Sequence, residues 1–184
     1  MRASSIKKAT FAGGCFWCME PPFEGVEGVV GFQVGYTGGA VANPRYEEVS
    51  TGKTGHLEAI QIVFDEAVVS FDRLLRIFFF NIDPLDPEGQ FVDKGSQYQT
   101  AVFYHSEEQK KVAQQVIKEL METRRFSRIE TKLIPYVSFY PAEEWHQRFH
   151  RKNNAHYERY KRGSGREERL KDIWGPKEGC EPCG

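Results

Sequence analysis

Hydrophobic and polar residues alternate over His56–Asp65, with Ile60, Ile62 and Phe64 in one phase, and this period of two predicts a strand. Ala9-Thr10-Phe11-Ala12 predicts a short strand over about 10–12, left through Gly13-Gly14, with a short helix opening at Cys15 and breaking at Pro21-Pro22. Val29 to Tyr36 predicts the next strand, closed by Gly38-Gly39. The period then changes to that of a helix: Ser70 caps a segment with Leu74, Leu75, Ile77 and Phe78 on one stripe. A loop over Asp83–Gly89 leads to a strand over about 99–104. Ser106-Glu107-Glu108-Gln109 has the spacing of a capping box, opening a long helix with Val112, Val116, Ile117, Leu120 and Met121 inward. Thr131 to Tyr140 reads as one extended segment, and Pro135 inside it predicts an edge. Trp145 to Tyr160 reads as a basic helix.

This order predicts an α+β fold, a sandwich with a helix pair on one sheet face. Its 184 residues suffice for one domain with a sizeable core, over about 7–162. Beyond that, composition turns to Gly, Arg and Glu, predicting an extended, partly irregular tail over about 163–184. The net charge of −1 gives no general attraction to nucleic acid or to an anionic membrane. The Arg148-Arg151-Lys152 and Arg159-Lys161-Arg162 groups are offset by Glu158, Glu167 and Glu168, as on a solvated face. The longest apolar run, Ile77–Phe80, is far too short to cross a bilayer. The first eight residues lack an apolar stretch of signal-peptide length, so a cytoplasmic location is expected.

Four cysteines fall in two C-x-x-C pairs, Cys15/Cys18 and Cys180/Cys183. In a reducing compartment this spacing points to redox chemistry or to a metal. Zinc held by all four thiolates is the rival reading, but Phe16-Trp17 is bulky for a zinc knuckle turn. His146 and His150 lie four apart but lack the glutamate of a zincin motif, so no metal is expected. A cysteine opening a helix is favoured as thiolate, and two aromatics beside it can wall a small apolar pocket. Tyr46, Glu58, Asp93 and Tyr98 sit in Gly-rich contexts and together would give that nucleophile a set of proton donors. Taken singly each has a plainer reading: Glu58 as a surface strand residue, the tyrosines as half-buried core, Asp93 as a turn former.

Gly13-Gly14-Cys15-Phe16-Trp17 resembles the signature of the A-type peptide methionine sulfoxide reductases. Gly35–Gly39, Asn43–Tyr46, Thr54–Ala59 and Asp93–Tyr98 resemble that family's later motifs, in order, and His146–Tyr160 its C-terminal stretch. The resemblance spans about residues 7–162. It implies a ferredoxin-like split βαβ fold for the single catalytic domain. It also implies that Cys15 attacks the sulfoxide sulfur, Glu58 protonates the oxygen, and Tyr46 and Tyr98 hold that oxygen. Phe16 and Trp17 would enclose the S-methyl group, and Asp93 would orient the site. Glu58 must then be kept neutral by an apolar setting. The implied substrate is the S epimer of methionine sulfoxide, free or in proteins, and no cofactor is implied. Cys15 is left as a sulfenic acid, which a second thiol closes to a disulfide for thioredoxin or a similar dithiol to open. Cys18, Cys180 and Cys183 are the candidates for that thiol, and a monomer is expected.

Overall fold

The computed structural model describes residues 5–123 and 126–175. Among the described residues, eight strands are interspersed with short and long helices. In chain order they are β1 (Ile6–Gly13), β2 (Val29–Thr37), α1 (Tyr46–Ser50), β3 (Leu57–Asp65), α2 (Phe71–Phe80), β4 (Gly89–Gln90) and β5 (Asp93–Lys94). Then follow β6 (Thr100–Tyr104), α3 (Glu107–Glu122), β7 (Lys132–Pro135), β8 (Phe139–Pro141), α4 (Phe149–Lys152), α5 (Asn154–Gly163) and α6 (Arg166–Trp174). Six strands form one sheet in the order β7-β6-β1-β3-β2-β8, antiparallel except for the β6/β7 pair. β3 and β6 both run antiparallel to β1, so α2 links two parallel strands with β1 lying between them.

The register explains the core. Phe11 stands opposite both Ile60 and Val102, and Ala9 opposite Ile62, so these side chains share one face. α2 and α3 cover that face with Leu74, Leu75, Phe78, Ala113 and Val116, and Arg76 ties the helices together at 2.6 Å from Glu119. The expected helix pair on one sheet face is therefore present. The Ser70 hydroxyl accepts the Arg73 N–H, as its cap spacing predicts. Ser106 accepts the Gln109 N–H, but the Gln109 side chain returns to the N–H of His105 rather than to Ser106. Met121, expected inward, is exposed; α3 narrows its buried stripe to Gln109, Ala113 and Val116 near its start.

Three sequence expectations change. The segment 131–140 is two strands, not one: β7 and β8 lie at opposite edges of the sheet. A flat sheet of six strands would hold its edges about 24 Å apart, yet Pro135 and Phe139 are joined by chain that spans at most ~15 Å. The sheet is therefore curled, with Ala12, Leu57, Ala59, Ala101 and Phe103 on the inside of the curl beside Ile134, Tyr136 and Phe139. Trp145–Tyr160 opens as a turn, and its helices begin at Phe149 and again at Asn154.

The largest correction is the expected tail: residues 163–174 are not extended. α6 buries Leu170 and Trp174, whose ring meets Phe80 and Phe126 and whose indole N–H donates to the Ile82 carbonyl at 3.1 Å. Leu170, Ile173 and Trp174 are at helical spacing, a signal the charged composition around them hides. No helix among the described residues is long and apolar enough to cross a membrane.

Candidate active site

Cys15 does not open an α-helix. It precedes a three-residue 3-10 turn, Phe16–Cys18, and Pro21-Pro22 start a second such turn at once, so no helix dipole of useful length faces the thiol. Gly14 makes the exit from β1: its φ is +82°, and a Cβ there would lie 2.6 Å from the Gln90 side chain. Gln90 is itself fixed, accepting the Asp83 N–H and donating to the Asp83 carbonyl. Cys15 and Cys18 are both free and both buried. Burial pushes the Cys15 thiol well up, and the neighbouring Cys18 and Glu58 push the same way. Cys18 is drawn down, first by the Cys15 thiol beside it and further by Arg166 and the Tyr157 hydroxyl. Burial thus opposes a Cys15 thiolate in the free protein, and no helix dipole offsets it.

Glu58 is not a surface residue. It stands in phase with Ile60, Ile62 and Phe64, is 2% exposed, and accepts the Phe16 N–H at 3.0 Å. Burial, augmented by the charge of Asp93, pushes its carboxyl up to about 8 despite that hydrogen bond. Tyr46 opens α1, and Tyr98 ends a 3-10 turn at Ser96–Tyr98; the two phenols lie against each other and face Glu58, Cys15 and Asp93. Burial, first of all, raises both. Asp93 sits on the β4–β5 hairpin, raised by its own burial and bonded to the Tyr160 hydroxyl.

The two aromatics of the motif differ. Phe16 is fully buried, with the Tyr36 ring at 5.9 Å and the His146 ring at 4.9 Å. Trp17 is half-buried, stacked on Phe149 at 3.8 Å, and donates its indole N–H to His146 Nδ1 at 3.0 Å. Thus Cys15, Phe16, Trp17, Tyr46, Glu58, Asp93 and Tyr98 all converge, and Cys18 lies beside them. Cys180 and Cys183 lie outside the described residues.

The peptide methionine sulfoxide reductase family model matches residues 7–178. The chain is 49% identical over 168 residues to peptide methionine sulfoxide reductase MsrA 2 of Staphylococcus aureus strain Mu50, covering 91% of this chain and 95% of that one. It is 47% identical over 175 residues to MsrA of Listeria monocytogenes serotype 4a, covering 95% and 99%. This chain belongs to the A-type peptide methionine sulfoxide reductases. The reduced form of Mxr1 from Saccharomyces cerevisiae matches the reductase fold with a TM-score of 0.76 at 30% identity, over 81% of this chain and 86% of that one. Methionine sulfoxide reductase A of Corynebacterium diphtheriae matches with a TM-score of 0.73 at 28% identity, over 83% and 77%. The yeast protein is also solved in complex with Trx2, a likeness at 23% identity and TM-score 0.53 that bears on the fold.

Around the candidate site stand further residues, among them two histidines that the sequence offered only as unmatched metal ligands. Glu143 accepts the Tyr36 hydroxyl and the Tyr46 N–H, each at 2.8 Å, pinning β2 to α1. His146 packs among Phe16, Trp17, Tyr46 and Trp145; burial takes it down to about 4, so the ring is neutral with Nδ1 free to accept from Trp17. His150 is tied to Glu20 and Glu24, each at 3.1 Å, which fastens α4 to the segment after Cys18. For Glu58 the sequence signal existed, in its parity with Ile60. For Tyr36, Glu143, Tyr160 and Arg166 it did not, because their partners are far away in the chain.

Proposed function

We propose that this reductase converts methionine S-sulfoxide, free or in proteins, to methionine at Cys15. The observation that carries the reading is a buried carboxyl, Glu58, held neutral within reach of the Cys15 turn and ringed by two phenols. A sulfoxide oxygen leaves only when protonated, and Glu58 carries a proton at neutral pH to deliver. Tyr46 and Tyr98 hydrogen-bond that oxygen, Asp93 orients the pocket through Tyr160, and Phe16 and Trp17 enclose the methyl group. Cys15 becomes a sulfenic acid, and Cys18, Cys180 or Cys183 closes it to a disulfide. Thioredoxin or a similar dithiol then restores the thiols, a reading supported by the yeast relative's complex with Trx2. Two free thiols in the motif fit a reducing, cytoplasmic setting. The single domain is read as a monomer, and its β3–α2–β6 crossover around β1 as a ferredoxin-like split βαβ unit whose β1–β2 connection carries 3-10 turns instead of a helix.

The test is methionine formation from the S and R epimers. Cys15→Ser is expected to abolish it and Glu58→Gln to slow it by roughly 10²-fold or more. Normal turnover by Cys15→Ser would sink the reading.

A further inference from the structure

Arg166 is a buried cation with no ion-pair partner among the described residues. It is 5% exposed; Nη1 donates to the Asn81 carbonyl at 2.6 Å, Nη2 to the Gly13 carbonyl at 3.4 Å, and the guanidinium lies 4.4 Å from the Phe91 ring centre. Its Nε has no partner. These contacts are with neutral groups, and Asp93, whose carboxyl feels the guanidinium charge, makes no ion pair with it; a guanidinium is costly to bury so lightly compensated. Arg166 and Cys18 together line a groove of about 640 Å³ between α2 and the α5–α6 pair. Two lysines also line this groove: Lys161 is paired with Glu167 at 2.8 Å, and Lys171 is exposed.

We propose that Arg166 is the counter-ion of a Cys18 thiolate in the reduced protein, and that it thereby makes Cys18 the thiol that closes on oxidised Cys15. This rests on the reading that methionine sulfoxide oxidises Cys15. The groups facing Cys18 are Cys15 from its own turn, Glu58 from β3, Asp93 from β5, Tyr157 and Tyr160 from α5, and Arg166 from α6. Among these the Asp93 carboxyl is bonded to Tyr160 and feels the charge of Arg166 as well. The Cys15 thiol, the Tyr157 hydroxyl and Arg166 all favour the anion. One 3-10 turn carries both sulfurs, with the Cys18 N–H on the Cys15 carbonyl at 3.1 Å, a separation within reach of a disulfide.

Protons and electrons balance along this route. As Cys15 attacks, its S–H proton passes to the Cys18 thiolate and the Glu58 proton to the sulfoxide oxygen. The hydroxyl then passes from the methionine sulfur to the Cys15 sulfur. The sulfoxide S–O bond and the S–S bond made by the attack both break, and the Cys15 S–O bond forms. Methionine leaves with the S–S electron pair, and Glu58 is a carboxylate. The Cys18 sulfur then attacks the Cys15 sulfur, the Cys15 S–O bond breaks, and the hydroxyl departs as water with the proton Cys18 had taken. The dithiol has lost two electrons and a disulfide remains.

Arg166 is a positioning residue here, so its test reads Cys18 directly. In the full chain carrying Cys15→Ser, the rate of Cys18 alkylation by iodoacetamide is followed against pH by peptide-resolved mass spectrometry. The profile is expected to rise at lower pH than that of a free thiol, to move up by at least one pH unit in Arg166→Gln, and to return most of the way in Arg166→Lys. Coincident profiles for Arg166 and Arg166→Gln overturn the proposal. A second measurement needs no arginine variant: thiolate absorbance at 240 nm and pH 7 should fall by one thiolate in Cys18→Ser, and no change overturns it. One equivalent of methionine S-sulfoxide added to the unaltered chain should release one methionine and leave a Cys15–Cys18 disulfide. Methionine without that disulfide overturns the inference alone, whereas no methionine overturns the reading beneath it.

Discussion

Glu58 combines two opposed demands in one side chain. The proposed role as an acid requires it to be protonated, and its burial favours that, yet the same burial makes its ionised form costly to the fold. Because its folded value is raised to about 8 from about 4.5, its contribution to stability is fully present below pH 4.5 and is lost as pH climbs through 8. Glu58→Gln keeps an acceptor for the Phe16 N–H and has nothing to ionise. Its unfolding free energy at pH 8 should exceed that of the unaltered chain by roughly 4 kcal/mol, a gap that closes at pH 4; thermal melts at the two pH values measure it. In the unaltered chain the rate of methionine formation should fall as pH passes about 8, when the acid loses its proton. This residue was half legible in the sequence. Its strand and phase were visible, but the sequence did not say that Phe16 would bring its N–H to the carboxyl from 42 positions away.

The elements that hold the site are mostly short, and their terminations matter more than their lengths. Gly14 ends β1 in a conformation that costs an L-residue energy, against a Gln90 that cannot retreat. Gly14→Ala should cost about 2 kcal/mol or more and lower turnover by displacing Cys15, as urea unfolding and single-turnover assays would show. The sequence expected a helix after this glycine. Pro21-Pro22 and the competing Glu58–Phe16 bond leave room only for 3-10 turns, so the thiol gains no helix dipole. α6 errs in the opposite direction: charge-rich composition suggested an extended tail, and three apolar residues at helical spacing outweighed it. Trp174→Ala should therefore destabilise the protein by about 3–5 kcal/mol, where substitution in a loose tail would cost almost nothing; a shift in thermal midpoint decides between them.

At the scale of the whole molecule, strand order was the least legible feature, because a period of two says which face a residue takes and not which strand it joins. The 136–138 link is where this matters most. It joins the two ends of the sheet, with Thr37 donating to the Ser138 carbonyl and Tyr136 to the Tyr104 carbonyl, while Val137 points into solvent. Neither edge can open widely without straining the other through this link. Amides of β7 and β8 should therefore exchange with deuterium at similar rates, and an eight-residue Gly/Ser insertion at Val137 should uncouple them and speed both.

The curl also decides how the sheet meets other chains. A long open edge is a template on which a stranger's strand can assemble. Here the edges are strands of four and three residues, each ending in proline, and they are drawn toward one another by the link between them. A peptide methionine sulfoxide reductase built this way offers a peptide a thiol pocket to enter and scarcely any ladder on which to aggregate.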